Sequence, residues 1–396
     1  MNFKDVRISV VGAGIGGLAV AYLLRQKGAQ VTVLEQAEEI SEVGAGLQVT
    51  PNGVAVLRAM GLADDLAWCA QRARAVVLRH HAHGREVLRL DLDQYAPDLR
   101  YYFVHRADLI HLLADAVRRS GVQVRLLQKV STVVPGPRPA VHLANGAKCH
   151  ADLVIGADGI HSRVRPALNA VRAPRFSGQV AWRATVPNRL GLPPEAQVFM
   201  GPGRHLVTYP IRDGSMVNLV AAQARRNWAE ESWSHGDNPD NLRQAFAGFG
   251  GIARELLDTV DEVKLWGLFR HPVAQNWGQD GIALLGDAAH PTLPFMAQGA
   301  NMALEDAYAL VDCLAAAPDI AAALSAYQLR RRARAAKVVE AASGNAWKYH
   351  LRAPLSWPAH GILRLAGALA PQRMVSQFDW IYRHDETRQD RTAPRL

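Results

Sequence analysis

The sequence predicts an α/β chain in which a parallel crossover unit is interleaved with a β-rich unit and followed by C-terminal helices. Three observations carry this. Residues 7–35 run strand, helix, strand; residues of roughly 176–220 alternate short strands with Gly and Pro turns; and a buried strand at 281–285 returns ahead of two long helices. Parallel strands need a crossover of a dozen or more residues, while hairpins need as few as two, so the two patterns belong to different sheets. The expected division is discontinuous. Residues 1–75, 99–174 and 267–345 form one α/β domain, 76–98 and 175–266 a β-rich domain, and 346–396 a helical segment.

Arg7-Ile8-Ser9-Val10-Val11 is a short β-branched run that reads as a buried strand. Leu18 to Lys27, rich in Ala and Leu, reads as a helix stopped by Gly28, and Gln30 to Glu35 as the second strand of a β-α-β unit. Two strand-like runs between Val76 and Leu90 flank His80-His81-Ala82-His83-Gly84 as a hairpin tip. Ala107 to Arg119 reads as an amphipathic helix. Val122 to Leu127, Val130 to Val134 and Val141 to Leu143 read as strands, with Asn145-Gly146 a hairpin turn. Asp152 to Gly156 is apolar and strand-like. Roughly 226–258 reads as helical and polar, and Glu262 to Phe269 as a strand. Gly281 to Leu285 is a buried strand, and Gly299 to about Ala316 and Ile320 to about Lys348 are long helices.

Composition narrows the class. The chain has 396 residues, 49% apolar and 20% charged, which is ordinary globular composition and too long for one small module. Lys and Arg outnumber Asp and Glu by 45 − 36 = 9, a surplus that attracts anions without choosing among them. Cys69, Cys149 and Cys313 are odd in number and far apart, so a disulfide framework is not expected and a cytoplasmic setting is. No signal peptide and no uncharged apolar run of spanning length is read.

Gly12-x-Gly14-x-x-Gly17 follows a strand and opens a helix, the Rossmann-like setting in which this spacing binds a dinucleotide. Gly12 permits the turn, Gly14 lets amides approach a diphosphate, and Gly17 allows close helix packing. The diphosphate then meets unpaired amides at the helix N-terminus. Glu35, 18 residues past Gly17, is placed to accept hydrogen bonds from ribose hydroxyls and would repel a 2′-phosphate. FAD or NAD is therefore expected. Gly248 to Ala253 matches the spacing loosely but follows a helical stretch, and reads as a helix break.

Two further stretches suit a cofactor. Gly156-Ala157-Asp158-Gly159-Ile160-His161-Ser162-Arg163-Val164-Arg165 ends a strand in a turn, with Ser162 a helix cap; alone it reads equally as turn or site. Gly286-Asp287-Ala288-Ala289-His290-Pro291 leads to Gln298-Gly299-Ala300-Asn301 and a helix start, again a polar-ligand geometry. Glu305 and Asp306 on that helix read either as functional or as solvent-facing helix residues.

With these motifs in order, the chain resembles the class A FAD-dependent aromatic hydroxylases (flavoprotein monooxygenases), and within them the salicylate hydroxylase group. The resemblance runs from about Val6 to Lys337 and includes His105-Arg106-Ala107-Asp108-Leu109. It implies a monooxygenase that uses NAD(P)H and O2 to hydroxylate a small phenolic or heteroaromatic acid through a flavin C4a-hydroperoxide, with or without decarboxylation. By the same resemblance Glu35 holds the adenosine ribose, Gly46 and Arg106 contact FAD, Asp158 serves FAD and NAD(P)H, and Asp287 holds the ribityl and diphosphate region. Gln298, Gly299, Ala300 and Asn301 lie along the isoalloxazine, and residues of roughly 175–266 roof the substrate. Gln48 stands where some relatives carry His, and it cannot act as a base. Pro294 stands where some carry a polar residue. The flavin halogenase signature Trp-x-Trp-x-Ile-Pro is absent.

Catalytic candidates lie on Gly203 to Pro210. Alternation puts His205, Val207 and Tyr209 on one face of a strand, where His and Tyr could polarise a phenol or simply pack. Arg183, in Ala181-Trp182-Arg183, is a candidate charge near the active site with no assigned target. No metal site is expected: His80, His81 and His83 crowd a hairpin tip without a carboxylate or thiolate at ligand spacing. Arg330, Arg331, Arg332, Arg334 and Lys337 are expected on solvated faces with salt links to the sheet, and nucleic-acid binding is not expected. Trp357 to Pro371, with Ile362-Leu363-x-Leu365, is expected to pack on the body rather than a membrane. Rival readings are a hydroxylase of a lipid-like quinone precursor at the membrane and a non-enzymatic flavoprotein redox or binding partner. NADH against NADPH, and monomer against homodimer, stay open.

Overall fold

The structure, a computed structural model, describes residues 2–40, 45–225, 236–352 and 354–388, with side chains except at 345–348. Gly44 of the Gly44-Ala45-Gly46 turn and residues 226–235 of the expected helical stretch lie outside the described residues.

Arg7–Val11 is the strand the apolar run predicts; in a six-stranded sheet it pairs directly with Gln30–Leu34 and Leu153–Gly156, with Ile282–Leu284 one strand further. The order across that sheet is Gly278–Gln279, Ile282–Leu284, Leu153–Gly156, Arg7–Val11, Gln30–Leu34, Gln123–Arg125. All neighbours are parallel except the antiparallel edge Gly278–Gln279. Parallel strands covered on both faces read as continuous apolar runs, which is why they were legible. Register does the positioning. Val11 pairs with Gly156 and with Leu34, and Gly156 pairs with Leu284. Residues 12–17, Glu35, 157–165 and 285–290, far apart in sequence, therefore leave the sheet along one edge. That carboxyl edge is where open α/β sheets bind ligands.

The β-rich part is an eight-stranded sheet ordered Gly236–Asp237, Val263–Arg270, Arg175–Pro187, Met216–Ala224, Arg204–Ile211, Glu195–Gly201, Ala75–His80, Glu86–Asp91. Its pairs are antiparallel except Glu195–Gly201 with Ala75–His80. One face carries Trp182, Phe199, Leu206 and Leu219 into a core with Phe246 and Phe249, beneath helices Pro239–Ala245 and Ile252–Asp258. The opposite face carries Arg183, His205, Val207 and Tyr209 into a cavity. Within the expected helical stretch the described part holds only those two short helices and the two-residue strand Gly236–Asp237. Gly251, at φ +58°, starts the second helix, so the loose glycine motif there is a helix boundary.

Sequence reading missed the three-stranded sheet of Gly46–Val49, Tyr102–His105 and Gln71–Arg72. The strands are four residues or fewer and pair over a long sequence separation, leaving little periodicity to read.

Two expectations about charge are corrected. Glu305 and Asp306 do not face solvent; both are fully buried in helix Gly299–Ala316. Arg331 is fully buried as well, and its salt links run to that helix and the C-terminal segment rather than to the sheet. It meets Glu305 at 2.7 Å, Asp306 at 2.8 Å and Glu386 at 2.7 Å, while Arg334 meets Glu305 at 2.8 Å. Burial leaves this cluster stable only because each charge has opposite charges in contact.

The C-terminal helices Ser356–Leu369, Pro371–Ser376 and Asp379–Tyr382 cross the outer strand and close the cavity through Leu363, Met374, Val375, Phe378 and Tyr382. Only one face of Ser356–Leu369 packs as expected; Trp357, Ile362, Leu365 and Leu369 are exposed. No helix among the described residues is long and apolar enough to cross a membrane.

Candidate active site

The glycine loop is built by close approach. A Cβ on Gly12, at φ +99°, would stand 2.5 Å from the Ala157 carbonyl oxygen, and one on Gly17 would stand 2.0 Å from the Gly12 oxygen. Gly14 instead has open space around its Cβ position and lines the cavity. Helix Ile15–Gln26 begins with no side-chain cap and no acidic residue in its first turn. Its first amides therefore face an anion site without competition. Glu35 spans the loop: its carboxylate accepts from the Ala13 and Ala37 amides, each at 2.8 Å.

A second helix start opens on the same cavity. Helix Gly299–Ala316 also lacks a side-chain cap and an acidic first turn, and Gln298, Gly299 and Ala300 line the wall. Polar residues of 48–53 hold it in place. Gln298 Nε2 donates to Thr50 Oγ1 at 3.0 Å, Asn52 Nδ2 donates to Gln298 Oε1 at 3.0 Å, and the Thr50 amide donates to Asn301 Oδ1 at 2.9 Å. Asn301 Nδ2 donates to the Gln48 carbonyl at 3.0 Å. Asn301 is thus a staple beneath the loop, outside the cavity wall.

Asp287 lies in the wall, half-buried. Burial pushes its carboxyl up, and His290, Arg106 and His271 pull it back. Arg106 shares the wall; burial lowers its guanidinium and Asp287 opposes that. Below them His290 Nε2 pairs with Asp306, which also accepts from the Gly286 amide at 3.0 Å. Asp158 turns the other way: it accepts from Ser162 Oγ at 2.6 Å, the Arg163 amide at 2.6 Å and the Val164 amide at 3.2 Å. Its carboxylate organises its own turn, while neighbours Ala157, Gly159 and Ile160 line the cavity.

The cavity measures about 530 Å³. Gly14, Gly46, Arg106, His205, Tyr209, Asp287, Gln298, Gly299 and Ala300 all line it, whereas Gly12, Gly17, Glu35, Asp158 and Asn301 stand outside its wall. Gly46 is a glycine because Asn218 and Tyr209 come within 2.8 Å of where its Cβ would be, and its amide donates to Asn218 Oδ1 at 2.7 Å.

The substrate side holds residues that no motif signalled. Tyr101 donates to Gln48, and both line the cavity. Burial holds the Tyr101 and Tyr209 hydroxyls well above the usual phenol range, so both stay protonated donors. Arg183 lies 4.6 Å over the Trp266 ring, and burial lowers it only to about 10, leaving a cation at neutral pH. His205 is buried, and burial with the neighbouring His350 keeps it neutral. Tyr101, Trp266 and Tyr382 lie in ordinary strand or helix surroundings, so only the fold could gather them.

The two uncapped helix starts, the open face at Gly14 and the half-buried Asp287 and Arg106 on the cavity wall fit a flavin dinucleotide. A sequence profile described as "FAD binding domain" matches residues 5–342. The chain belongs to the class A FAD-dependent aromatic hydroxylases. It is 40% identical to the 3-amino-4-hydroxybenzoate 2-monooxygenase of Streptomyces cremeus, over 88% of this chain and 89% of that one. It is 31% identical to the salicylate hydroxylase of Pseudomonas putida, over 97% and 94%. Klebsiella pneumoniae HpxO, solved with FAD and uric acid, superposes with a TM-score of 0.84 at 25% identity, covering 95% of this chain and 97% of that one. This hydroxylase is therefore an FAD-dependent aromatic monooxygenase.

Glu305, His384 and Glu386 are the one group of potential metal ligands found close together among the described residues. Arg330, Arg331 and Arg334 already neutralise its carboxylates.

Proposed function

We propose that this enzyme hydroxylates the ring of a small phenolic or heteroaromatic acid, with NADH or NADPH as reductant and O2 as oxidant. One observation carries the reading: His205, Tyr209, Gln48, Tyr101 and Arg183 converge on the same cavity as Asp287 and the 298–300 loop. Glu35 holds the adenosine ribose, the first amides of Ile15–Gln26 the diphosphate, Arg106 and Asp287 the ribityl region, and the 298–300 loop the ring. FAD, when bound there, supplies the electrophilic oxygen. The chain's own residues prepare the substrate. Arg183 offers a half-buried cation to an acid group. Neutral His205 accepts the phenolic proton, which makes the ring carbon more nucleophilic. Tyr209 donates to the ring substituent, and Tyr101, its hydroxyl fixed on Gln48, lines the ring's edge. The apolar walls Leu363, Met374, Val375 and Phe378 exclude water. Asp158 supports this site indirectly, through the shape of the 157–160 turn.

The test is oxidation of NADH and NADPH by the FAD-loaded protein with hydroxybenzoates, aminohydroxybenzoates and hydroxypyridine acids. Mass spectrometry reads a gain of one oxygen, with or without loss of carbon dioxide. Faster oxidation coupled to oxygen gain supports the reading; no product from any acid overturns it. A lipid-like ring substrate is a second reading, favoured by the exposed Trp357, Ile362, Leu365 and Leu369 on a helix that roofs the cavity. Sedimentation with anionic vesicles and turnover of a quinone precursor check it.

A further inference from the structure

The helix that roofs the cavity is held lightly. No residue of Ser356–Leu369 is fully buried, although its Leu363 lines the cavity and packs beside Val87, Val198 and Met200. His360, Leu363 and Gly367 share one face of the helix, at spacings of three and four residues. Gly367 lies so close to strand Glu86–Asp91 that a Cβ there would stand 2.6 Å from Leu88 Cδ1. His360 rests on the tip of the hairpin before that strand. Its ring stands edge-on to His80, at 5.6 Å between centres and 88° between planes.

The tip itself is a stack of imidazoles. His80 lies 4.6 Å from His81 and 4.1 Å from His83, ring centre to ring centre, with planes 27° and 9° apart. Hydrogen bonds fix where the protons sit. Nδ1 of His80 accepts from the Ala82 amide and Nδ1 of His83 from the Arg85 amide, each at 3.2 Å. A second proton on either ring goes to that nitrogen and ends the bond. His81 Nδ1 lies 3.1 Å from the Met200 carbonyl oxygen. The surrounding charges oppose protonation. Arg364 of the roof helix acts on His80 and His360, and Arg204 of the neighbouring strand acts on His81. On the hairpin, Arg79 donates to the Gly84 carbonyl at 3.0 Å, Arg85 is exposed, and the carboxylate of Glu86 is engaged with Arg89 at 3.9 Å. Burial first, then the neighbouring imidazoles and Arg364, holds His80 down at about 4. Burial also holds His81 and His360 below their ordinary 6.5. His83 is exposed, so water reaches the stack.

We propose that His80, His81, His83 and His360 form a pH-sensitive latch, which holds the roof helix on the hairpin tip while neutral and releases it on protonation. Two imidazolium rings at these distances repel, and each proton on His80 or His83 also costs the tip a hydrogen bond. The latched form therefore binds fewer protons than the released form. Its hold is complete above pH 6.5 and is lost as pH falls toward 4. Leu363, one turn along from His360, leaves the cavity wall with the helix. The latch acts on access to the cavity and needs no particular substrate.

The test uses the FAD-loaded full chain, with EDTA in every buffer so that no metal ion bridges the imidazoles. Hydrogen–deuterium exchange read by mass spectrometry follows the amides of 356–369 at pH 7.5 and pH 5.5, corrected for the intrinsic pH dependence of exchange. Helix Ile15–Gln26 is the internal reference, expected to keep its protection at both. Moving His80 from about 4 when latched to 6.5 when free favours release about tenfold more at pH 5.5 than at pH 7.5. Solvent screening trims the expected rise in exchange to between about threefold and tenfold. His80→Phe and His360→Phe keep a ring but take no proton; each is expected to shrink the rise, and the double variant to abolish it, with wild-type protection at pH 7.5. Arg364→Gln, exposed and outside the stack, is expected to shrink the rise without touching a ring, which reads the latch even if a Phe variant misfolds. No rise in the wild type overturns the latch. A rise of wild-type size in the double variant, or in Arg364→Gln at low salt, places the acid effect elsewhere and overturns it as well.

Discussion

Two buried polar regions lie on either side of the 286–300 segment, and they are built on opposite terms. Under helix Gly299–Ala316, Glu305, Asp306 and Glu386 are closed against Arg330, Arg331 and Arg334, with His290 on Asp306. Across the segment, Arg106, Arg183, His205, Tyr209 and Asp287 face a cavity. Charge buried in the first region is committed to the fold. In the second it lines a cavity. The difference predicts that substitutions in the first cost stability, and in the second cost binding or turnover.

The largest effect expected is on Arg331→Met. It leaves three buried carboxylates short of a cation and should destabilise the fold by about 3–5 kcal/mol, read as the denaturant midpoint. A midpoint equal to wild type would break the comparison. His205→Phe and Tyr209→Phe should slow product formation, on the order of 100-fold for His205, while the unfolding midpoint and flavin spectrum stay put. Asp287→Ala and Glu35→Ala should lower FAD content after gel filtration. Glu35→Ala should also lose about 1 kcal/mol of stability, because its two loop amides lose their acceptor.

Acid should dismantle the regions in sequence. The His205 and His350 imidazoles are held below their ordinary 6.5, His350 at about 4. Their stabilising effect is complete above pH 6.5 and drains as pH falls toward 4. Burial alone would raise Glu305 and Asp306, but Arg331 with Arg334, and His290 with Arg331, outweigh it and bring each to about 2. Their share is present above about pH 5 and drains as pH falls toward 2. Denaturant midpoints measured from pH 7 to pH 3 should fall across the upper window first, and Arg331→Met should flatten only the lower one. The smallest effect expected is on Tyr101→Phe. It removes the donor to Gln48 and should cost about 1 kcal/mol or less in stability, while shifting KM more than kcat.

Much of the dinucleotide end was legible because backbone geometry dictates residue type there. Gly12 and Gly17 are glycines since a Cβ would strike Ala157 or Gly12 itself, and such constraints recur as fixed spacings. The alternation argument for His205, Val207 and Tyr209 worked for the same reason, because a strand's two faces are written in its period. Asp158 and Asn301 were read as ligand-facing; the structure turns the first into its own loop and the second under the 298–300 turn. Spacing carries no record of side-chain direction once the helix or turn starts.

The sequence by itself determined the crossover unit, through local φ/ψ limits and apolar periodicity, and the order of the three motifs, on which the resemblance to the family rests. The tertiary structure alone decided that Tyr101, Trp266 and Tyr382 line one cavity with those motifs, that His350 meets His205, and that Glu305, Asp306 and Arg331 are buried. These contacts join residues tens to hundreds apart, through strand register and helix packing. No local pattern encodes such a meeting, because its driving force is the burial of surfaces that only the folded chain brings together.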